Sequence, residues 1–207
     1  MIDFKEKLTE SDIRYVQNKL PELFQIAELE CTRGGRIGME VGIVRENILS
    51  AFLLKKFGEE NTDFDVPTNE KVIDGYLFNT PISIKTFIGK TYSAQVKVFW
   101  MVTGQISLDY IKTYSPTCDL IIGHVKWGGD GALYYVPKEV QNEIFNDIKI
   151  EKYLKVPNFS SNERGISLSK EAYNLMIKHK LSYNIPIHWE KQNLEINPID
   201  RWTKMLY

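Results

Sequence analysis

The sequence has few of the groups from which metal centres, disulfide frameworks and membrane spans are built. Its 207 residues include two cysteines, Cys31 and Cys118, and three histidines, and none of these lies at metal-ligand spacing from another. Such sparse cysteine is typical of reduced thiols in a cytoplasm. No apolar run approaches the roughly 18 residues of a membrane-spanning helix, and the charged start MIDFKEKLTESD contains no secretory signal. We therefore expect a cytoplasmic protein with no membrane partner.

An excess of charge of either sign is also missing. The chain has 26 Lys and Arg against 27 Asp and Glu, a formal net charge of -1, which argues against a strongly basic nucleic-acid-binding domain. Hydrophobic residues make up 43% and charged residues 26%, as in globular proteins. The chain shows neither a repeat nor a convincing linker, so we expect a single α/β domain over residues 1–207.

The apolar pattern predicts helices first, then strands, then a mixed tail. A helix predicted from Met39 to Phe57 ends at Gly58, and a basic glycine-rich loop precedes it. Further helices are predicted over 9–20, 21–31 (with Pro21 in its first turn), 137–147 and 169–180. Strands are predicted near 71–78, 81–88, 96–102, 118–127 and 131–137, the last two joined by the turn sequence Gly128-Gly129-Asp130-Gly131.

The stretch DGYLFNTPISIK, residues 74–85, contains an acid and a base at its two ends. It reads as a hairpin with a two-residue turn at Asn79-Thr80, which would place Asp74 directly opposite Lys85. Ser83 would share their face, because side chains alternate along a strand. A surface ion pair would explain the two charges; a catalytic pair is the alternative.

Glu46, among apolar neighbours on the preceding helix, favours the catalytic alternative. Two carboxylates can bind Mg²⁺, which takes oxygen ligands and keeps water molecules that phosphate oxygens can replace. A lysine beside them can orient the attacking water and stabilise the charge that develops on a phosphate. Buried together without function, these charges would be costly. Glu46, Asp74 and Lys85 are therefore the candidate catalytic residues for metal-assisted phosphodiester hydrolysis.

These residues carry a family resemblance. The hairpin from Asp74 to Ser83-Ile84-Lys85 resembles the metal-site hairpin of the PD-(D/E)xK nuclease superfamily, although no proline precedes Asp74 and Ser83 stands where the second acid usually lies. Glu46 is the natural substitute for that acid. The segment GMEVGIVREN, with 28 residues from Glu46 to Asp74 and 11 more to Lys85, is similar to the ThaI-like type II restriction endonucleases over roughly residues 34–136.

The resemblance implies a fold, a cofactor and a site. The fold would be the restriction-endonuclease-like one, a central mixed β-sheet flanked by helices, with its catalytic core over 34–136. Mg²⁺ would be held by Glu46 and Asp74. Orthodox D-x-K triplets also occur at residues 3–5 and 147–149, in a chain terminus and at a helix end, and we interpret both as incidental.

The resemblance also implies how DNA is held. Met39 would enter the base stack from the minor groove as a wedge, and Arg33 and Arg36 would bind phosphates beside it. The alternative for Met39 is core packing at a helix start. For Gly38 and Gly42, close helix packing and close approach to a phosphate or a partner subunit remain open. The implied substrate is double-stranded DNA containing CGCG, cut in the middle to blunt ends by a homodimer with twofold symmetry.

Residues 151–207 are the expected DNA-recognition region. Arg164 stands near Ser167, Ser169 and Lys170, before a predicted helix. Arginine binding guanine O6 and N7 is the commonest specific base contact. An ordinary capped helix with basic residues facing phosphates is an equally acceptable interpretation.

The sequence thus predicts a homodimeric, Mg²⁺-dependent type II restriction endonuclease. A non-catalytic DNA-binding protein on a nuclease-like fold is the first alternative, favoured if Ser83 abolishes metal binding. A structure-selective repair nuclease of the same superfamily is the second. The recognition sequence, the bond cut, the dimer interface and the existence of a cognate DNA methyltransferase remain open at this stage.

Overall fold

A computed structural model describes residues 2–67, 72–99, 110–156, 165–197 and 199–206. The helices are α1 (Phe4–Lys7), α2 (Glu10–Glu30), α3 (Val41–Phe57), α4 (Lys138–Tyr153), α5 (Lys170–Lys178) and α6 (Asp200–Met205). The strands are β1 (Thr32–Arg33), β2 (Arg36–Ile37), β3 (Thr62–Asp63), β4 (Gly75–Leu77), β5 (Thr80–Ile88), β6 (Lys97–Phe99), β7 (Asp119–Val125), β8 (Gly129–Val136), β9 (Leu154–Lys155), β10 (Ile166–Leu168) and β11 (Tyr183–Trp189). Of the predicted strand at 96–102, residues 100–102 lie outside the described residues.

A six-stranded mixed sheet forms the centre of the fold, with strand order β11-β8-β7-β5-β4-β3. Strands β5 and β7 run parallel with Ile84 beside Ile121, while the other neighbours are antiparallel. Strand β7, DLIIGHV, is almost wholly buried, as expected for a strand covered on both faces. The predicted fold class, a central mixed sheet flanked by helices, is confirmed.

Each face of the sheet packs against its own hydrophobic layer. On one face, Phe24 of α2 and Leu49 of α3 pack with Ile84 of β5. On the other, Val140 of α4 and Met176 of α5 belong to a second layer that also includes the small sheet β6-β10-β9. In the described part of the chain, no helix is both long and apolar enough to cross a membrane.

Pro21 does not separate two helices, which corrects the predicted division at residue 21. Helix α2 continues through this residue, although a proline removes one backbone hydrogen bond and crowds the preceding turn. Val16, Leu20 and Phe24 are all buried on the same side of α2. Burial of these side chains on both sides of Pro21 offsets the local cost and keeps the helix in one piece.

The β4–β5 hairpin forms, but its turn lies one residue earlier than predicted. Leu77 pairs with Thr80 and Gly75 with Ile82, so the turn residues are Phe78 and Asn79, at φ of 50° and 59°. A phenylalanine rarely adopts positive φ. Here its ring packs edge-on against Phe57, 5.1 Å between centroids, and its amide donates to the Asn61 carbonyl. These contacts select the turn.

The earlier turn shifts the strand pairing by two residues. The ladder ends at the pair of Gly75 with Ile82, and the Asp74 amide donates to the Ile82 carbonyl at 2.9 Å. Asp74 therefore does not lie opposite Lys85, which corrects the predicted pairing. A shift of one residue would have turned every side chain to the opposite face, but a shift of two preserves the faces. Asp74, Ser83 and Lys85 consequently still lie on one side of the hairpin.

Candidate active site and DNA-facing surface

The site lies where β4 leaves β5. Strand β4 pairs with Thr80 to Ile82 only, and beyond this point the amides of Ile84 and Thr86 face the open edge of β5. Two carboxylates, instead of a neighbouring strand, face these amides. Asp74 Oδ2 accepts a hydrogen bond from the Ile84 amide at 2.7 Å, and the Glu46 carboxylate lies close enough to the Thr86 amide for the two to interact. The edge of β5 thus brings the two predicted acids together, although they are far apart in the sequence.

Lys85 completes this arrangement. Its ammonium donates to Asp74 Oδ2 at 2.6 Å and to the Ile84 carbonyl at 3.0 Å. The hydroxyl of Ser83, which is buried, donates to the same carboxylate oxygen at 2.8 Å. In the described residues, these three donors to Asp74 all converge on Oδ2, which leaves Oδ1 as the oxygen for a ligand.

Positive charge is scarce at this site. Burial raises the pKa of Glu46 to about 7; the neighbouring charge of Asp74 adds to the rise, while Lys85 and the Thr86 amide oppose it. One lysine therefore does not compensate both carboxylates, of which Glu46 is the one largely removed from water. A bound cation would favour the ionised form of Glu46.

The donor set fits a hard divalent cation. Asp74 and Glu46 supply carboxylate oxygens, and no group of three or more His, Cys, Asp and Glu residues able to hold a metal occurs among the described residues. A cation with two protein ligands would complete its shell with water and phosphate oxygens, as Mg²⁺ does in phosphoryl-transfer sites. Soft metals, which prefer thiolates and imidazoles, do not match these ligands.

The raised pKa predicts how stability depends on pH in the metal-free protein. The folded-state pKa of Glu46, about 7, exceeds the ordinary value of 4.5. The protonated Glu46 carboxyl therefore contributes stability that is fully present below about pH 4.5 and is lost as pH rises through 7. Glu46→Gln removes it. Between pH 5 and 8, the free energy of unfolding should fall by about 2–3 kcal/mol more in the wild type than in the variant. Urea denaturation with a chelator measures this difference, and equal pH slopes in both proteins would contradict it.

Cys118 lies near the β4–β5 hairpin, a position that the sequence did not predict. Burial raises the pKa of its thiol to about 12, and the charges of Asp74 and Lys85 both act on it. It lies next to β7, whose Leu120 pairs with Ser83. At this pKa the thiol stays protonated near neutral pH, so it packs against the site and does not act as a nucleophile.

The predicted basic loop is a short β-hairpin. Arg33 and Arg36 are paired across it, and the turn residues Gly34 and Gly35 adopt φ of 56° and 74°, which glycine accepts without strain. Both arginines are exposed. The amide of Gly38 donates to the Cys31 carbonyl at 2.8 Å and closes the base. The result is a projecting tip with two guanidinium groups.

Met39 follows this hairpin and is 96% exposed, so it does not fill the core. It lies two residues before α3 begins, which corrects the prediction that Met39 and Glu46 share one helix. A Cβ built on Gly42 would meet no atom within 4 Å. Close helix packing within the chain therefore does not explain this glycine, and its surface stays open.

The tail holds three of the predicted DNA contacts, Arg164, Ser167 and Lys170. Arg164 lies outside the described residues. Ser167 is only 2% exposed, because it lies in the middle strand of the sheet β6-β10-β9; its role as a DNA contact stays a prediction. Ser169 caps α5 by accepting from the Ala172 amide. Lys170 is exposed, and its role as a DNA contact stays a prediction.

A model of the family described as "Restriction endonuclease ThaI" matches residues 4–207. The chain belongs to the ThaI restriction endonuclease family. It is thus a type II site-specific deoxyribonuclease. A solved structure described as "Restriction endonuclease in complex with substrate DNA" is 42% identical, with a TM-score of 0.88, and the match covers 94% of this chain and 93% of that one. No curated protein matches the chain.

Membership of the ThaI family gives the hairpin a context. Restriction endonucleases generally need a divalent metal ion, and the two carboxylates on the β5 edge form a donor set suited to one. The hydroxyl of Ser83 donates to Asp74. The helix α3 supplies a carboxylate to the same edge.

Proposed function

We propose that this ThaI-family enzyme hydrolyses double-stranded DNA at CGCG, in the middle of the site, with Mg²⁺ as cofactor and blunt ends as products. One observation carries the chemistry. The carboxylates of Glu46 and Asp74 face the amides of Thr86 and Ile84 along the open edge of β5, with the Lys85 ammonium bonded to Asp74. An acidic pair with one lysine is the equipment of metal-assisted phosphodiester hydrolysis.

Each residue has a separate role in this proposal. Glu46 and Asp74 hold Mg²⁺, which when bound supplies charge stabilisation to the phosphate and acidifies a bound water. Lys85, held by Asp74 and the Ile84 carbonyl, orients the attacking water and stabilises the charge that grows on the phosphate oxygens. Ser83 holds Asp74 Oδ2 so that its other oxygen faces the ligand.

The exposed tip and Met39 form the proposed DNA contact. Arg33 and Arg36 bind phosphates, and the unbranched apolar side chain of Met39 enters the base stack from the minor groove at a cost of a few kcal/mol in unstacking. The exposure of Met39 supports this role. The 42% identical solved structure contains substrate DNA, which supports a duplex as substrate here.

The salt dependence of binding tests the arginine tip. Each phosphate contact releases counterions, so the logarithm of the binding constant should fall linearly with the logarithm of salt concentration. Arg33→Ala and Arg36→Ala should each reduce the slope by about one unit. Arg14→Ala, which removes an exposed arginine of α2 paired with Glu10, is the matched control and should leave it unchanged. Slopes that stay at the wild-type value in both tip variants would remove this hairpin from the DNA interface.

A palindromic site suits a homodimer with twofold symmetry, in which each protomer cuts one strand. Residues 34–136 form the proposed catalytic core, and 151–207 the proposed recognition region, with Lys170 as its exposed basic residue. A DNA methyltransferase acting on the same sequence would protect the host, and the cytoplasm, where host DNA lies, is the proposed location.

Digestion of a sequenced plasmid with Mg²⁺, followed by sequencing of the ends, tests the proposed function. We expect blunt ends within CGCG and none without Mg²⁺. Salt-sensitive binding without cleavage would favour the non-catalytic DNA-binding protein. Ends at junctions or gaps, irrespective of sequence, would favour the repair nuclease.

A further inference from the structure

A buried carboxylate joins the β1–β2 hairpin with Arg33 and Arg36 (the arginine hairpin) to helix α3, which contains Glu46. Glu28, in the last turn of α2, is 2% exposed, and side chains from three other parts of the fold contact its carboxylate. Arg45 of α3 reaches its Oε1 at 2.7 Å, and so does the Trp127 indole N–H, from the residues between β7 and β8. Lys191, after β11, lies 2.9 Å from Oε2. Arg45 is itself 3% exposed.

The position of this ion pair connects it with both functional regions. Glu28 shortly precedes the arginine hairpin, and its carbonyl accepts the Thr32 hydroxyl at 2.6 Å. Arg45 directly precedes Glu46. The ion pair therefore connects the end of α2 to the start of α3. The arginine hairpin and Met39 lie in the sequence between these two helix ends.

The hairpin needs such support. Its two strands have two residues each, and a hairpin of this size is marginal on its own. Its orientation relative to the active site then depends on how the end of α2 is fixed to the start of α3. The buried ion pair of Glu28 and Arg45 fixes these two helix ends to each other, directly beside Glu46 in the sequence.

We propose that Glu28 and Arg45 are positioning residues for DNA cleavage, holding Met39, Arg33 and Arg36 at a fixed offset from Glu46. The proposal rests on the proposed function. With the offset fixed, a duplex held by the tip presents its scissile phosphate to the carboxylates of β5 and α3. Without it, DNA still binds, but the phosphate is displaced, and small displacements reduce rates strongly.

Stability alone gives no reason for such a pair, because buried ion pairs are often replaceable by uncharged residues without loss of stability. A second ion pair offers a matched control. Lys56 and Asp12 join the same two helices at their other end, at 2.5 Å, remote along α3 from Glu46. If Glu28 and Arg45 only connected helix to helix, breaking either ion pair would change the cleavage rate to a similar extent.

The test compares the double variant Glu28→Gln/Arg45→Met with Lys56→Met and wild type. The amide introduced by Glu28→Gln keeps an acceptor for Trp127 while the ion pair is removed. We measure the melting temperature, the dissociation constant of a CGCG duplex without Mg²⁺, and the single-turnover cleavage rate of bound duplex after Mg²⁺ is added. We expect the double variant to stay folded and bind DNA within about threefold of wild type, but to cleave roughly 10–100-fold more slowly. Lys56→Met should cleave at the wild-type rate.

A fluorescent cytosine analogue at the central step gives a readout that a purely structural role would not change. It should brighten on binding wild type and Lys56→Met, and less with the double variant. A folded double variant that cleaves and brightens like wild type would overturn the proposal, as would an equal loss in Lys56→Met. If the double variant does not fold, Arg45→Met alone decides, because Lys191 and Trp127 still contact Glu28 in it: a wild-type cleavage rate overturns the proposal and a slower rate with unchanged affinity supports it. Inactivity of the wild type on all DNA would instead overturn the proposed function and, with it, this inference.

Discussion

Asp74→Ala and Lys85→Ala should each lower the cleavage rate by about 10³-fold or more, while the proteins stay folded and bind DNA. Asp74 accepts from Ser83, Ile84 and Lys85 at once, so its loss removes a metal ligand and releases the lysine. Lys85→Ala removes the only cation bonded to Asp74 in the described residues. Single-turnover cleavage of a CGCG duplex measures both effects.

Lys90→Ala is the control for Lys85→Ala, because Lys90 is an exposed lysine shortly after the same strand. It should cleave normally. Either site variant cleaving at more than about a tenth of the wild-type rate would mean that the catalytic residues lie elsewhere.

Met39→Ala should abolish specific cleavage and leave stability unchanged. The side chain is almost fully exposed, so its truncation creates no cavity; a buried methionine would cost about 2–5 kcal/mol. Without the side chain, an opened base step loses its filler, and specific binding should weaken together with cleavage. Thermal melting without DNA, run beside cleavage of a CGCG duplex, measures both quantities.

Met205→Ala is the matched control, since Met205 is another exposed methionine, near the end of the chain. It should affect neither quantity. Normal cleavage by Met39→Ala would remove the wedge, and a large fall in its melting temperature would show that the side chain packs in a way the free structure does not reveal.

Turn chemistry and alternation predicted the β4–β5 hairpin and the faces of Asp74, Ser83 and Lys85, but not the register. The register depends on Phe78, which adopts positive φ because Phe57 and Asn61 hold it. These partners come from α3 and from the residues before β3, so no local pattern contains them. The predicted grouping of Asp74, Ser83 and Lys85 was right although the register was wrong, because a two-residue shift keeps each side chain on the same face of the hairpin.

The meeting of Glu46 with this hairpin was anticipated from spacing and resemblance, but its physical basis is tertiary. The open amides of Ile84 and Thr86 exist because β4 is short, and only the packing of α3 brings Glu46 to that edge. Strand β11 went unpredicted, although Ile185, Ile187 and Trp189 alternate with exposed residues and Pro186 is typical of an edge strand.

Ser167 and Glu28 show what a linear sequence conceals. A serine near a helix start suggests a polar surface, yet β6 and β9 flank Ser167 and bury it. Glu28 looks like one more charge on an amphipathic helix. Its two hydrogen-bond donors, however, come from α3 and from the residues between β7 and β8, and its second ion-pair partner comes from the segment after β11. Burial of a charge depends on which distant elements converge on it.

We propose that helix α3 supplies, through Glu46, the second metal-binding carboxylate that is absent at Ser83. The most direct measurement is the cleavage rate of Glu46→Gln against Mg²⁺ concentration, beside wild type and Asn47→Ala, the exposed neighbour on α3. We predict that Glu46→Gln shows no cleavage at any Mg²⁺ concentration that saturates the wild type, while Asn47→Ala cleaves normally. Wild-type cleavage by Glu46→Gln with an unchanged Mg²⁺ requirement would contradict the claim.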